Sequence, residues 1–348
     1  MTLLSNGRIY LDWNATSLIC DPARIVFLDL INEVGNPSSI HLEGRKGRII
    51  VESSRDQIQE SLGLNDGKLV FTSGATEAAA LILHNTNFSC SPIEHECVKK
   101  WCDISIPVNK AGQVDEKEST NLDVLQIANS ETGVLQNIPK SLYCTDAVQA
   151  IGKVNCSFQE LTPKTVIMSS HKIGGPKGVG AAFLRDEAKI TPLIKGGMQE
   201  MGYRAGTENF ILIAAFSEAI KYSKKLLSEG IWEKVKELRN YLETEIQSVA
   251  KDTNIAGIES NRLPNTSCIV TPGWSGENQV IELDLMGFSV SSGSACTSGK
   301  ISASDTLLAM GIDETSAKNG LRISLGPNTK KSEIESFISA WKSLYIKR

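Results

Sequence analysis

The chain has 348 residues and a net charge of −4, from 36 Lys and Arg against 40 Asp and Glu. That length and a hydrophobic content of 41% suit a folded protein of about two domains and exclude a disordered chain. The mild acidity, with no basic tract, excludes a dedicated nucleic-acid binder, and no apolar run approaches the ~18 residues of a membrane span.

In chain order, Glu43 to Leu62 reads as a helix closed by Gly63, and Lys68 to Thr72 as a strand. Glu77 to Leu83 is a short helix. Val124 to Ala128, Ser141 to Thr145, Thr165 to Ser169 and Val179 to Leu184 are further short apolar strands, ending at Gly, Ser, Asn or Asp. Such runs fit buried strands of a largely parallel sheet. Ile231 to Val249 is the best helix, with Ile231, Val235, Leu238, Leu242, Ile246 and Val249 on one apolar stripe that serves packing. Ser332 to Tyr345 is a second amphipathic helix. The pattern is α/β, and ligands on such sheets bind at the carboxyl ends of strands. A large domain over 14–227 is expected, with a small one built from 1–13 and 228–348.

The residues capable of chemistry stand just after the strands. Ser73 to Glu77 joins a strand to a helix start through small residues and a hydroxyl, a place where free N–H groups attract an anion. An ordinary turn capped by Thr76 has the same sequence. Asp146 closes the next informative strand, with Gln149 three residues on. It could hold a protonated ring nitrogen or cap a helix. Ser169-Ser170-His171-Lys172 leads into Gly174-Gly175-Pro176-Lys177-Gly178, and a strand-end lysine in tight surroundings is a candidate Schiff-base nucleophile. Taken together, a phosphate cradle, a carboxylate and an amine are what pyridoxal phosphate requires of a protein.

There are eight cysteines and no CxxC pair, so neither a disulfide scaffold nor a metal site is expected. The N-terminus has no basic stretch leading into an apolar core, so free thiols in a reducing cytoplasm are expected. Seven cysteines read as small buried hydrophobes. Among these seven, Cys144 stands out because it lies two residues before Asp146. Cys296 differs from the rest. It lies in Ser291 to Gly299, where the other eight residues are all Gly, Ala, Ser or Thr, the composition of a loop that presents one thiol.

These blocks give the chain a family resemblance. Asp12 with Asn14-Ala15-Thr16, Asn36-Pro37-Ser38-Ser39 with His41, Thr72 to Glu77, Glu94-His95, Glu131-Thr132-Gly133, Asp146-Ala147 with Gln149, His171-Lys172, Arg204 to Asn209, Ser291 to Ser298 and Arg322 to Gly326 run nearly end to end. In this order the chain resembles the cysteine desulfurases of the nitrogenase and iron–sulfur-cluster type, among the class-V aminotransferases. The resemblance implies the fold type I of pyridoxal-phosphate transferases, with a mainly parallel sheet flanked by helices and a small α+β C-terminal domain. It implies Lys172 as the Schiff-base lysine, His95 as a group stacked on the cofactor ring that moves protons, Asp146 at the pyridinium nitrogen and Gln149 at the ring oxygen. Ala75, Thr76, Ser169 and His171 would bind the phosphate, and Thr207 would reach the phosphate of a second subunit in a homodimer. Arg322 would clamp the carboxylate of L-cysteine, with Asn36 close by. Cys296 would take the sulfur as a persulfide and pass it to a protein acceptor.

The chain also departs from the family pattern. Ser130 stands where an Asn contacting cofactor and substrate is usual, Ala78-Ala79-Ala80 replace Ser-Asn-Asn, and Cys144 replaces a common His. The segment between Gln136 and Asp146 lacks room for a helix. A selenocysteine lyase or related β-lyase, and a non-catalytic cofactor-binding or sulfur-relay subunit, are the alternative readings.

Overall fold

The computed structural model describes residues 7–115, 121–140, 142–293 and 303–348. Seven strands form the central sheet, in the order Gly67–Thr72, Gly180–Arg185, Thr165–Ser169, Cys144–Asp146, Val124–Gln126, Ser89–Cys90 and Asp103–Ile104. The five from Thr165–Ser169 to Asp103–Ile104 run parallel. Gly180–Arg185 is antiparallel to both of its neighbours.

Side-chain alternation explains why the sheet is buried on both faces. Leu69, Phe71, Val166, Met168, Ala181 and Phe183 enter one core, against helices Leu42–Leu62 and Phe210–Ser228. Val70, Ile167, Ala182 and Leu184 enter the core on the other face, against helix Ala75–Leu83. Three layers result, α on β on α, with the strand ends along one rim. Helix Leu42–Leu62 stops where expected, because Gly63 takes the left-handed conformation (φ 65°) and its N–H caps the carbonyls of Gln59 and Glu60.

A second core surrounds a four-stranded antiparallel sheet, ordered Ser291–Ser292, Gly320–Ser324, Thr266–Val270 and Asn254–Ile255. Helices Ile231–Val249 and Lys331–Ile346 pack there, and Trp341 and Phe337 are fully enclosed. The N-terminal strand Ile9–Tyr10 pairs in parallel with Phe288–Ser289, which ties the start of the chain to this unit. The stripe of Ile231–Val249 is mostly inward, but Val249 is exposed while Arg239 and Glu243 are buried. The Arg262–Glu243 pair and the Arg239 bond to Leu263 O at 2.7 Å compensate that burial. Among the described residues, no helix is long and apolar enough to cross a membrane.

Candidate active site

Residues at the rim of the large sheet meet the edge of the small one around a cavity of ≈ 900 Å³. Ala75, Thr76, His95, Ser130, Asp146, Gln149, Ser169, His171, Lys172 and Arg322 line it. Ten singled-out positions thus converge from six segments. Asn36 does not line it. It is exposed in a turn, its Oδ1 accepting from Ser38 N–H at 3.0 Å. Thr207 lines an adjoining cavity of ≈ 260 Å³ that shares Ser73, Gly178 and Val179 with the main one. Cys296 lies outside the described residues.

Lys172 ends a single 3-10 turn that follows strand Thr165–Ser169. The strand end forces its amine toward the N-terminal segment, where Nζ donates to Asn14 O at 2.7 Å and Ala15 O at 2.8 Å. Asp146 is buried at the end of its own strand, and its Oδ1 accepts from Val148 N–H at 2.8 Å. Burial pushes its pKa up, against the pull of that N–H, His95 and Lys172.

His95 caps the short helix Glu96–Lys99, and its Nδ1 accepts from Cys97 N–H at 3.2 Å. Nδ1 therefore carries a lone pair, and the neutral ring keeps its proton on Nε2. The ring surface is open to the cavity, yet the surrounding protein lowers its pKa, while Asp146 opposes that shift. His171 is also held neutral at pH 7. Burial, then Lys172 and Lys177, push its pKa down to about 4, and Nδ1 sits 3.2 Å from Thr16 Oγ1.

Opposite stands Arg322, from strand Gly320–Ser324. It donates to Asp12 Oδ1 at 2.7 Å and to Ser130 O at 3.2 Å, while its Nε is buried without a partner among the described residues. The anion cradle at Gly74–Thr76 is the start of helix Ala75–Leu83, so its first N–H groups are free of intrahelical bonds. Gly180 passes so close to Gly74 that a Cβ there would lie 2.8 Å from Gly74 Cα. Arg204 and Glu77, paired at 2.9 Å, brace the same turn.

Three contributors are not apparent from sequence. Asn14 stands there only as part of a block, yet it is a buried hub. Its Nδ2 bonds Ser130 O and Thr266 Oγ1, and its carbonyl bonds Lys172 and Gln149. Lys153 is buried beside Gln149, although its sequence gives the ordinary signal of a surface lysine. Cys97 lines the cavity with its Sγ 3.0 Å from His95 Nδ1, so it, rather than Cys144, is the described thiol nearest the chemistry. Cys144 is fully enclosed in the sheet core.

The profile of the aminotransferase class-V family matches residues 9–337. The chain belongs to the class-V aminotransferase family. It is 33% identical to the cysteine desulfurase IscS of Dictyoglomus turgidum, over 94% of this chain and 92% of that relative. Identity to the cysteine desulfurase NifS of Azotobacter vinelandii is also 33%, over 95% of this chain and 90% of that one. Among solved structures, a NifS-like protein from Rickettsia africae ESF-5 superposes with a TM-score of 0.90 at 32% identity, covering 97% of this chain and 99% of that one.

Members of this family are pyridoxal-phosphate enzymes, and the residues present fit that cofactor. A buried carboxylate whose pKa is raised by burial is best satisfied by a cation, which a protonated ring nitrogen provides. The helix start at Gly74–Thr76 suits the phosphate, and Lys172 stands on the same cavity wall as Asp146.

Proposed function

We propose that this protein is a cysteine desulfurase that takes sulfur from L-cysteine, releases L-alanine and leaves a persulfide on Cys296. The observation that carries the reading is Lys172, Asp146, His95 and Arg322 around one cavity, in a chain that matches cysteine desulfurases over nearly all of its length.

Pyridoxal 5'-phosphate, when bound, supplies a carbonyl for amine exchange and an electron sink for charge released at Cα. Lys172 would be the amine that holds the cofactor, and its Nζ would move the proton at the substrate Cα. Asp146 would pair with the ring nitrogen, and Gln149 would bond the ring oxygen. His95 would flank the cofactor, with Nε2 able to donate or take a proton because Nδ1 accepts from Cys97 N–H. Ala75, Thr76, Ser169 and His171 would bind the phosphate, with His171 neutral and able to donate one hydrogen bond. Arg322 binds the substrate carboxylate, with Ser130 beside it and Asn36 contributing from outside the main cavity. The Cys296 thiolate attacks the substrate sulfur. One S–S bond forms as one C–S bond breaks, and the bonding pair with a proton remains on the carbon that becomes the alanine methyl group.

The protein works as a homodimer in this reading. Ile25 and Leu28, the turn with Val34 (74% exposed) and Ile40 (90% exposed), Ile49 and Met198 offer solvent an apolar surface, and such surfaces mark association sites. Thr207, exposed beside the cavity rim, would reach the phosphate held by the second subunit. We assign residues 14–227 to a large domain and 1–13 with 228–348 to a small one. A cytoplasmic protein of cluster assembly, or another sulfur carrier, receives the persulfide.

The test is spectroscopic and chemical. Purified protein supplied with pyridoxal 5'-phosphate should gain a visible absorbance band and release alanine and sulfide from L-cysteine with a reductant. Lys172→Ala should lose both band and turnover. A wild type with no band, or a Lys172→Ala variant that keeps full turnover, would overturn the reading.

A further inference from the structure

Lys153 is a buried amine that the chemistry above does not use. It is 4% exposed. The charges that reach it are two cations, Lys172 and Arg322, and burial together with them pushes its pKa down to about 7. A linear apolar side chain would fill the same space without that cost.

What Lys153 does there follows from donor and acceptor chemistry. Its Nζ donates to Gln149 Oε1 at 2.7 Å and faces Asn14 Oδ1 at 3.4 Å. Asn14 O is a carbonyl and can only accept, so the Gln149 NH₂ must face it and the amide oxygen must face Lys153, whose Nζ can donate in either protonation state. That NH₂ donates to Asn14 O at 2.9 Å, the same carbonyl that accepts Lys172 Nζ at 2.7 Å. Asn14 Oδ1 also accepts from Asn265 Nδ2 at 3.1 Å. One buried amine thus fixes the orientation of the glutamine on the cavity wall and braces the segment that docks the reactive lysine.

Resting on the cofactor reading above, we infer that Lys153 is a positioning residue: it locks the Gln149 amide with its NH₂ toward the cofactor's ring oxygen and holds Asn14 beneath Lys172. It does not touch the reacting atoms. Its effect passes through Gln149, so the two side chains must act as a unit.

A double-variant cycle with pyridoxal 5'-phosphate as the probe tests this. Cofactor-free wild type, Lys153→Met, Gln149→Leu and the double variant are titrated, and dissociation constants are read from the visible band. Lys153→Met should bind about tenfold more weakly, the scale of one lost hydrogen bond to a charged group. The double variant should be within about twofold of the weaker single variant. The pH midpoint of the band should also rise in Lys153→Met, because the positive charge that Lys153 carries below its pKa no longer opposes protonation of the bound cofactor. Wild-type affinity in Lys153→Met, or losses that multiply in the double variant, would overturn the inference. If Lys153→Met does not fold, Lys153→Leu, which also lacks a donor, enters the same cycle and is judged by the same two outcomes. A wild type with no band would overturn the cofactor reading itself, whereas a wild-type band with an unaffected Lys153→Met variant overturns only the role of Lys153.

Discussion

Asp146, Gln149, Ser169, His171 and Lys172 reach the cavity from one short stretch of chain, at the ends of two adjacent parallel strands. The facing wall is assembled differently. Arg322 comes from the small antiparallel sheet, Asp12 from a segment 310 residues earlier, and Ser130 from a turn of the large unit. The first wall is fixed by strand register and burial, so its groups hold their places through the local backbone. The second depends on how two cores dock, and its cation is already engaged by Asp12 at 2.7 Å. In the proposed reading, a substrate carboxylate would share the Arg322 guanidinium with Asp12. The strand-end wall should therefore govern the chemical step, and the Arg322 wall should govern substrate binding.

Variants can break that division, beginning with the largest effect. Asp146→Ala should lower kcat by about 10²–10³-fold, the scale of one lost electrostatic stabiliser in a buried site, with KM for L-cysteine little changed. Steady-state kinetics would contradict the comparison if KM moved and kcat did not. Arg322→Leu should raise KM by about 10–100-fold through loss of a charge-assisted contact, with a smaller change in kcat. A kcat loss as large as that of Asp146→Ala would mean that the two walls do not divide the work.

A smaller effect concerns pH and the strand-end wall alone. His171 is held neutral, with a folded pKa of about 4, while the unfolded chain takes up that proton at about 6.5. Between these values the unfolded state binds more protons, so the contribution of His171 to stability falls as pH drops from about 6.5 to 4 and is level below. Denaturation of cofactor-free protein across that range should show a shallower loss of stability in His171→Gln than in wild type. Equal slopes would mean that His171 does not carry this pH dependence.

The difference between the walls also explains what the sequence disclosed. Strand Thr165–Ser169 and Lys172 are legible because a short apolar run and a Gly-rich stop are local signals. The Gly63 cap is legible for the same reason. The Asp12–Arg322 pair is not, because nothing local joins residues so far apart. The antiparallel course of Gly180–Arg185 is equally hidden, since its apolar run reads the same in either direction. Lys153 and Arg239 mislead outright. Their residue types favour solvent, and only tertiary packing shows that a buried acceptor holds each one.

The central claim is that sulfur leaves L-cysteine for Cys296. It is tested most directly by intact-protein and peptide mass spectrometry after one exposure of the cofactor-loaded protein to L-cysteine without reductant. The expected result is a gain of one sulfur atom on the peptide that contains Cys296, stoichiometric alanine, and neither mass gain nor alanine beyond background in Cys296→Ser. Sulfur on Cys97 or on no protein thiol, with alanine still formed by Cys296→Ser at the wild-type rate, would contradict it.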